Sequence, residues 1–360
     1  MKHTVTISRF KAKHQNRLTL IQALREYNPG MGLRKAKEAM EKMLEGEPVI
    51  IEIEGEKLEA FSAILTELNV EFQVGALESE PEEIRNEPTV LMAQFLFEQP
   101  FALNQANILE ELRREFARVE TGSDADESDK PFLYFFPDYS VTYADKSAPA
   151  QCVIFVPENQ QAKSEKFVPA LQQSWHWPQA KEIVPKCKYA FHVMDFLSSG
   201  LPYKRRAEYY QKFITALIKA TRPQAVHFDG SDKLVNPFAY ALALTEEEPE
   251  VLHGMMNVRL FNISNGAEGE MFMDTLGLHV LGLPDIQVRF TGLDPGRVSG
   301  LLTAYGNYIY EHGIVIQAGN TIQGLEAEDV WTCYFADALV GPARVTIDLE
   351  TNQQADGQDT

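Results

Sequence analysis

Two histidine–aspartate pairs sit where strands end in this sequence. His192 and Asp195 close the run KYAFHVMDF at 188–196, and His227 and Asp229 lie two apart at the end of the run AVHF at 225–228. Residues two apart on a strand share a face. A His/Asp set converging from neighbouring strands is what a hydrolytic site needs, because imidazole and carboxylate either exchange protons or ligate zinc or iron. No HxH, HExxH or His-Asp dipeptide fixes two ligands at once, so no metal and no cofactor is expected. Single histidines inside apolar strands, His279 in GLHVLG among them, are more often satisfied core or edge residues.

Nucleophilic chemistry has less to draw on. Ser198-Ser199-Gly200 and Asp229-Gly230-Ser231-Asp232 read as turns, and neither is the GxSxG elbow. Cys152, Cys187 and Cys333 are far apart and lack CxxC spacing, which makes them buried thiols rather than a disulfide framework or a zinc site. The glycine-containing stretches at 292–296 and 319–324 lack both the Lys-Ser/Thr of a phosphate loop and the GxGxxG order. Trp175-His176-Trp177-Pro178 concentrates aromatic surface. Exposed, Trp175 and Trp177 would anchor a protein partner; buried, they would pin their loop to the core.

The elements that must position these residues fall into two groups. Val5 and Ile7 alternate with polar neighbours as a first strand. Leu18, Ile21, Leu24 and Tyr27 mark a helix, which Asn28-Pro29-Gly30 stops. Leu33, Ala36, Met40 and Met43 form the stripe of a second helix with Gly46 as its C-cap. A strand at 49–53, a helix from Leu58 to Leu68 and a strand at 70–74 complete a βααβαβ order. Residues 28–41, NPGMGLRKAKEAME, together with that order resemble the C-terminal domain of the bacterial ribosomal stalk protein. The resemblance implies a basic helical face that recruits translation factors, here Arg25, Arg34, Lys35 and Lys37. Gln22 stands where that family usually carries Lys.

Residues 77–88, LESEPEEIRNEP, read as an acidic linker between a domain at 1–76 and a larger one at 89–350, with a polar tail at 351–360. In the larger domain we expect a buried strand at 89–97, a helix at 106–116 and a mobile acidic loop at 121–130. Three strands at 132–136, 139–143 and 152–156 should follow, the first two turning at Pro137-Asp138. A helix near Phe167, a strand at 188–196, a helix at 204–219 and a strand at 225–228 come next. Asn236-Pro237 and Asp294-Pro295 open helices. Strands at 258–263, 271–281, 287–290, 314–316, 318–322, 331–335 and 345–349 complete an α+β fold with a mostly antiparallel sheet. DTLGLHVLGLPD at 274–285, the helix ending Tyr308-Ile309 and Gly319-Asn320-Thr321-Ile322 resemble the bacterial domain-of-unknown-function family 4261 over residues 188–350. That resemblance implies a mixed α+β domain and no established activity.

Charge narrows the choice of partner. The 360 residues hold 33 basic and 52 acidic side chains, net −19, yet residues 1–46 are net +6, residues 47–130 net −15 and the remainder net −10. An acidic body argues against nucleic-acid binding by the large domain, since phosphate contacts need clustered Lys and Arg. It suits a basic protein partner, the electrostatics of an immunity-type protein. No stretch approaches the roughly 20 apolar residues of a membrane span, and the basic start leads into no apolar run, so a cytoplasmic location is expected. The sequence therefore points first to a non-catalytic protein-interaction module. A hydrolase using His192, Asp195, His227 and Asp229 is the second reading, and a ribosome- or RNA-associated factor acting through the basic N-terminal helices is the third.

Overall fold

The structure, a computed structural model, describes residues 2–10, 17–27, 31, 33–44, 49–76, 86–122, 132–143, 146–245, 250–264 and 266–351. The chain divides into two compact units, Met1–Ile84 and Arg85–Thr360. The Asn28-Pro29-Gly30 stop, Gly46, linker residues 77–85, loop residues 123–130 and the tail beyond 351 lie outside the described residues.

The first unit runs β1 (Lys2–Phe10), α1 (Arg17–Tyr27), α2 (Leu33–Leu44), β2 (Val49–Glu54), α3 (Gly55–Glu67) and β3 (Val70–Ala76). Its sheet has the order β2-β1-β3 with both pairings antiparallel. Val5, Ile7, Ile51 and Ile53 occupy alternate positions and are buried against Leu20, Leu24, Ala36, Met40, Phe61 and Leu65 from the helices. Each of these side chains larger than alanine, fully buried, contributes about 1.5–3 kcal/mol relative to exposure. The alternation on the strands and the 3.6-residue stripes on the helices therefore dictate one packed layer of helices on one sheet face.

The second unit opens with a seven-stranded antiparallel sheet. It contains β4 (Met92–Phe97), α4 (Gln105–Glu115), β5 (Glu120–Thr121), β6 (Phe132–Tyr143), β7 (Lys146–Phe155), α5 (Val168–Gln172), α6 (Ala180–Ile183), β8 (Tyr189–Phe196), α7 (Tyr203–Thr221), β9 (Ala225–Phe228), β10 (Lys233–Val235) and α8 (Pro237–Ala243). The strand order is β10-β9-β4-β8-β7-β6-β5. Ala93, Phe95, Phe191, Val193, Val226 and Phe228 share one face and join the main core with residues of α4 and α7. Leu96, Ala190, Ala225 and Leu234 point the other way and are covered by Phe167, Ala170, Trp177, Ala180 and Val184.

A second sheet follows in the same unit: β11 (Asn257–Asn262), β12 (Glu270–Leu276), β13 (Asp285–Thr291), α9 (Pro295–His312), β14 (Thr321–Gln323), β15 (Val330–Asp337) and β16 (Val345–Glu350). Its order is β11-β12-β13-β16-β15-β14, antiparallel except for the β13–β16 pair. Met273, Val288, Leu302, Trp331 and Ile347 join the same core as the first sheet, so the two sheets and their helices form one body. The fold is α+β with mostly antiparallel sheets. Asn236 and Asp294 cap α8 and α9 as their Asx-Pro sequences imply, each side chain accepting backbone N–H groups of the first turn.

Four expectations are corrected. Pro137-Asp138 is not a reversal: β6 continues through it, and the register against β7 shifts between Phe136 and Ser140 because Pro137 has no N–H for the ladder. The strand expected at 271–281 stops at Leu276. Gly277 has φ 132°, a Cβ there would collide with the Met255 carbonyl oxygen, and residues 278–281 form a 3₁₀ turn that carries His279. Residues 314–316 form no strand. Nor does the linker extend to residue 88. Asn86 donates through Nδ2 to the carbonyls of Leu283 (2.8 Å) and Val345 (3.0 Å) and accepts from Val345 N–H (2.8 Å), which fastens it to the large unit.

Candidate functional site

Three strands bring part of the expected constellation together. Gln94 in the middle of β4 is in register with His192 on β8 and with His227 on β9, so the three side chains form one polar row on one face of the first sheet. Asp229, just beyond β9, joins the row: Gln94 Nε2 donates to both of its carboxylate oxygens at 3.0 and 3.1 Å. Lys166 pairs with Asp229 at 2.5 Å. His227 Nε2 carries its proton toward Asp232 Oδ1 at 2.8 Å, since a carboxylate only accepts. Its Nδ1 is buried without a hydrogen-bond partner, 3.8 Å from Asp229 Oδ2. Burial holds the His192 imidazole below its ordinary pKa, against the pull of Asp229.

Asp195 does not belong to this set. It lies three residues after His192 and therefore on the opposite face, where it is 1% exposed. Arg206 Nε donates to its Oδ2 at 2.7 Å, Leu91 N–H to its Oδ1 at 2.6 Å, and the Ser198 hydroxyl also donates to it. Arg206 extends the same bonding to the carbonyls of Val280 (3.0 Å) and Thr89 (2.5 Å), so the Asp195–Arg206 pair ties α7 to both sheets. Its role is structural.

A cleft of ≈ 370 Å³ opens beside the polar row, between the end of β9 and the second sheet. Asp229 and Asp232 line one wall, and His279, Arg259 and the Gly341-Pro342 segment line the other. His279 is held from behind: its Nδ1–H donates to Asp285 Oδ2 at 2.9 Å, which leaves Nε2 for the cleft. Asp285 is fully buried and also receives Thr275 Oγ1, the N–H of Leu278 and Arg344 Nε. Burial alone would lift its carboxyl, but His279, Arg344 and Thr275 together hold it below the ordinary carboxylate range. Arg259 grips Asp274 with two nitrogens, at 2.9 and 2.5 Å, and Arg344 reaches the same carboxylate at 2.7 Å. Both guanidiniums then bind carbonyls of the 340–342 segment and fix the far lip of the cleft.

The model of a domain of unknown function, DUF4261, matches residues 274–350. The match begins at Asp274, includes the His279–Asp285 pair and Arg344, and ends with β16; residues 188–273, which the sequence also suggested, lie outside it. No curated protein matches the chain, and no solved structure does. Nothing in these comparisons supports the ribosomal-stalk resemblance of the first unit, while DUF4261 supports the C-terminal one.

The remaining candidates are placed as follows. Cys152, Cys187 and Cys333 are buried. Burial pushes the Cys152 thiol well up and those of Cys187 and Cys333 to about 11, which suppresses the nucleophilic thiolate. Ser231 is used inside the fold, its hydroxyl donating to the Gly254 carbonyl. Trp177 is not an exposed anchor: it is 7% exposed and packs with Phe167 and Ala180, whereas Trp175 is 45% exposed. Arg25, Arg34, Lys35 and Lys37 are all exposed on α1 and α2. Among the described residues no three His, Cys, Asp or Glu side chains are grouped to hold a metal ion, and no helix is long and apolar enough to cross a membrane.

Sequence reasoning missed Gln94, Lys166, Asp232, Arg206 and Arg344. Gln94 carried a signal, a polar residue midway through the apolar run MAQFLF. Arg206 carried none, because YKRRAEYY looks like an exposed basic turn until the helix face is known.

Proposed function

We propose that this chain is a non-catalytic interaction protein of the bacterial cytoplasm whose large unit receives a basic protein partner. In this reading the cleft beside Asp229 and Asp232 takes a cationic side chain of that partner. The observation that carries it is the pair of carboxylates on the cleft wall, 18% and 29% exposed, beside the half-exposed Lys166, the Gln94 amide and the buried His227 ring. A partner guanidinium can replace Lys166 at little cost, because a surface ion pair is worth only about 0–1 kcal/mol. The charge of the unit works in the same direction: residues 85–360 hold 37 acidic and 22 basic side chains, a field that steers a cationic protein toward the surface.

Octa-arginine serves as the probe, titrated calorimetrically at low and physiological salt. The Asp229→Asn/Asp232→Asn variant should bind it about tenfold more weakly than wild type, a loss of ~1.4 kcal/mol. The control Glu182→Gln/Glu268→Gln, which removes the same charge from exposed positions, should change affinity far less. Equal losses in the two variants would show that only net charge is read and would remove the cleft from the proposal.

Two observations favour further readings. Asp285 orients His279 as a general base is oriented, so a hydrolase in the same cleft is the second reading. It requires turnover of an ester or phosphoester panel that disappears in His279→Asn. The exposure of Arg34, Lys35 and Lys37 on α2 supports the third, a ribosome or translation-factor contact by the first unit. Reversing these three charges should then abolish co-sedimentation with ribosomes, and unchanged sedimentation removes that reading.

A further inference from the structure

A second cavity, ≈ 430 Å³, lies between β10, β11 and α9, and Lys233 and His253 both line it. We propose that Lys233 is a reactive amine and that this cavity takes small aldehydes or ketones, which Lys233 binds as imines. The volume is that of a small-molecule site.

The arrangement around the amine supports this chemistry. Lys233 Nζ donates one hydrogen bond, to the Met256 carbonyl at 2.9 Å, and no carboxylate among the described residues lies within ion-pair distance of it. Most protein lysines are exposed and solvated; this one, on β10, is held against the backbone oxygen that precedes β11 and lines the cavity. Burial destabilises the ammonium form and brings its pKa down to about 8, with only the more distant Glu250 opposing. The other ionisable groups at the cavity are Glu250, His253, Tyr310 and Glu311. Glu250 is engaged by His253 Nδ1 at 2.8 Å, and Glu311 by Lys204 at 2.7 Å, so neither carboxylate is committed to Lys233. His176, behind β10, is held neutral by burial and by Lys233, its pKa brought down to about 4. Burial raises Tyr310, which stays a neutral phenol.

The reaction balances without an added oxidant or reductant. The nitrogen lone pair of neutral Lys233 attacks the carbonyl carbon and the oxygen takes up a proton. The carbinolamine loses that oxygen as water while nitrogen gives up its second proton, leaving a C=N bond. His253, whose Nδ1 is fixed by Glu250, lines the same cavity and is the group assigned to carry these protons.

Glyoxylate with cyanoborohydride tests the proposal on the full chain, because reduction of an imine fixes the adduct to the amine that formed it. At pH 8 a surface lysine of pKa ≈ 10.4 is under ~1% neutral, against about half for an amine of pKa 8. Peptide mass mapping should therefore find Lys233 modified at least tenfold faster than exposed lysines such as Lys181 and Lys186, with a rate that levels off above pH 8. Lys233→Arg should lose that fast adduct while keeping the wild-type unfolding midpoint to within a few degrees, and His253→Gln should form it more slowly. Competitive labelling with acetic anhydride, which needs no cavity ligand, gives an independent pH midpoint for the amine. Lys233 reacting no faster than the exposed lysines, or showing a labelling midpoint near pH 10, would overturn the assignment.

Discussion

Replacing Arg206 with Met probes the Asp195–Arg206 pair that joins the two sheets. The side chains are 2% and 1% exposed, so Arg206→Met leaves a carboxylate in the core with only the Leu91 N–H and the Ser198 hydroxyl. Breaking a buried pair from one side costs about 3–5 kcal/mol. The carbonyl of Val280 loses its guanidinium donor as well, which places the expected loss in the upper half of that range. For a unit of this size the midpoint should fall by about 10 °C. All three tryptophans, 175, 177 and 331, lie in the large unit, so their fluorescence in a urea titration reads this unit alone. The midpoint should drop with the slope unchanged. Asp195→Leu/Arg206→Met removes both charges and should recover much of the loss. A single variant within about 1 kcal/mol of wild type, or a deficit that the second substitution does not relieve, refutes the reasoning.

Other expectations follow from the same geometry. Gly277→Ala should destabilise the large unit by roughly 1–3 kcal/mol or more, because φ is 132° and the new methyl meets the Met255 carbonyl; a urea midpoint equal to wild type would contradict this. Burial lowers the pKa of His176, His192 and His253. Below pH 6.5 the unfolded chain therefore takes up protons that the folded chain excludes, and stability falls with acidification toward pH 4. A midpoint independent of pH between 7 and 5 would count against it, and His176→Gln/His253→Gln should flatten the slope. The three buried thiols should resist a disulfide reagent in the native state and react together on unfolding, whereas fast native labelling of any one would show a missing access path.

How far the sequence could be read depended on distance along the chain. The first unit was legible almost throughout, because its signals are local: Val5/Ile7 and Ile51/Ile53 alternate, and Leu33, Ala36, Met40 and Met43 keep helical spacing. The helix caps at Asn236 and Asp294 were legible for the same reason. Errors came where a distant group sets the local backbone. Asp285 draws in the N–H groups of Gly277, Leu278 and His279 and so converts an apparent strand into a turn, of which Gly277 is the one local sign within 271–281. Asp195 and His192 looked like one site because they are close in sequence. Period-two geometry sends them to opposite faces, and only the partner, Arg206 on the next helix, shows which face is the core. The cleft was hidden altogether, since residues near 230, 279 and 341 meet only after both sheets have formed.

The fastening of Asn86 to Leu283 and Val345 bears on inheritance and engineering. The segment matched to DUF4261 is not a self-contained piece: Asp274 inside it is gripped by Arg259 outside it, β12 pairs along its length with β11, and the approach to β13 and β16 is closed by a side chain almost two hundred residues earlier. Excised as residues 274–350, it would leave an open sheet edge, an aspartate that keeps Arg344 but loses the two-nitrogen grip of Arg259, and two bare carbonyls. Any protein that borrows this segment must also supply a guanidinium from the neighbouring strand and an amide from the incoming chain. A transplant should be cut at residue 85 rather than at 274.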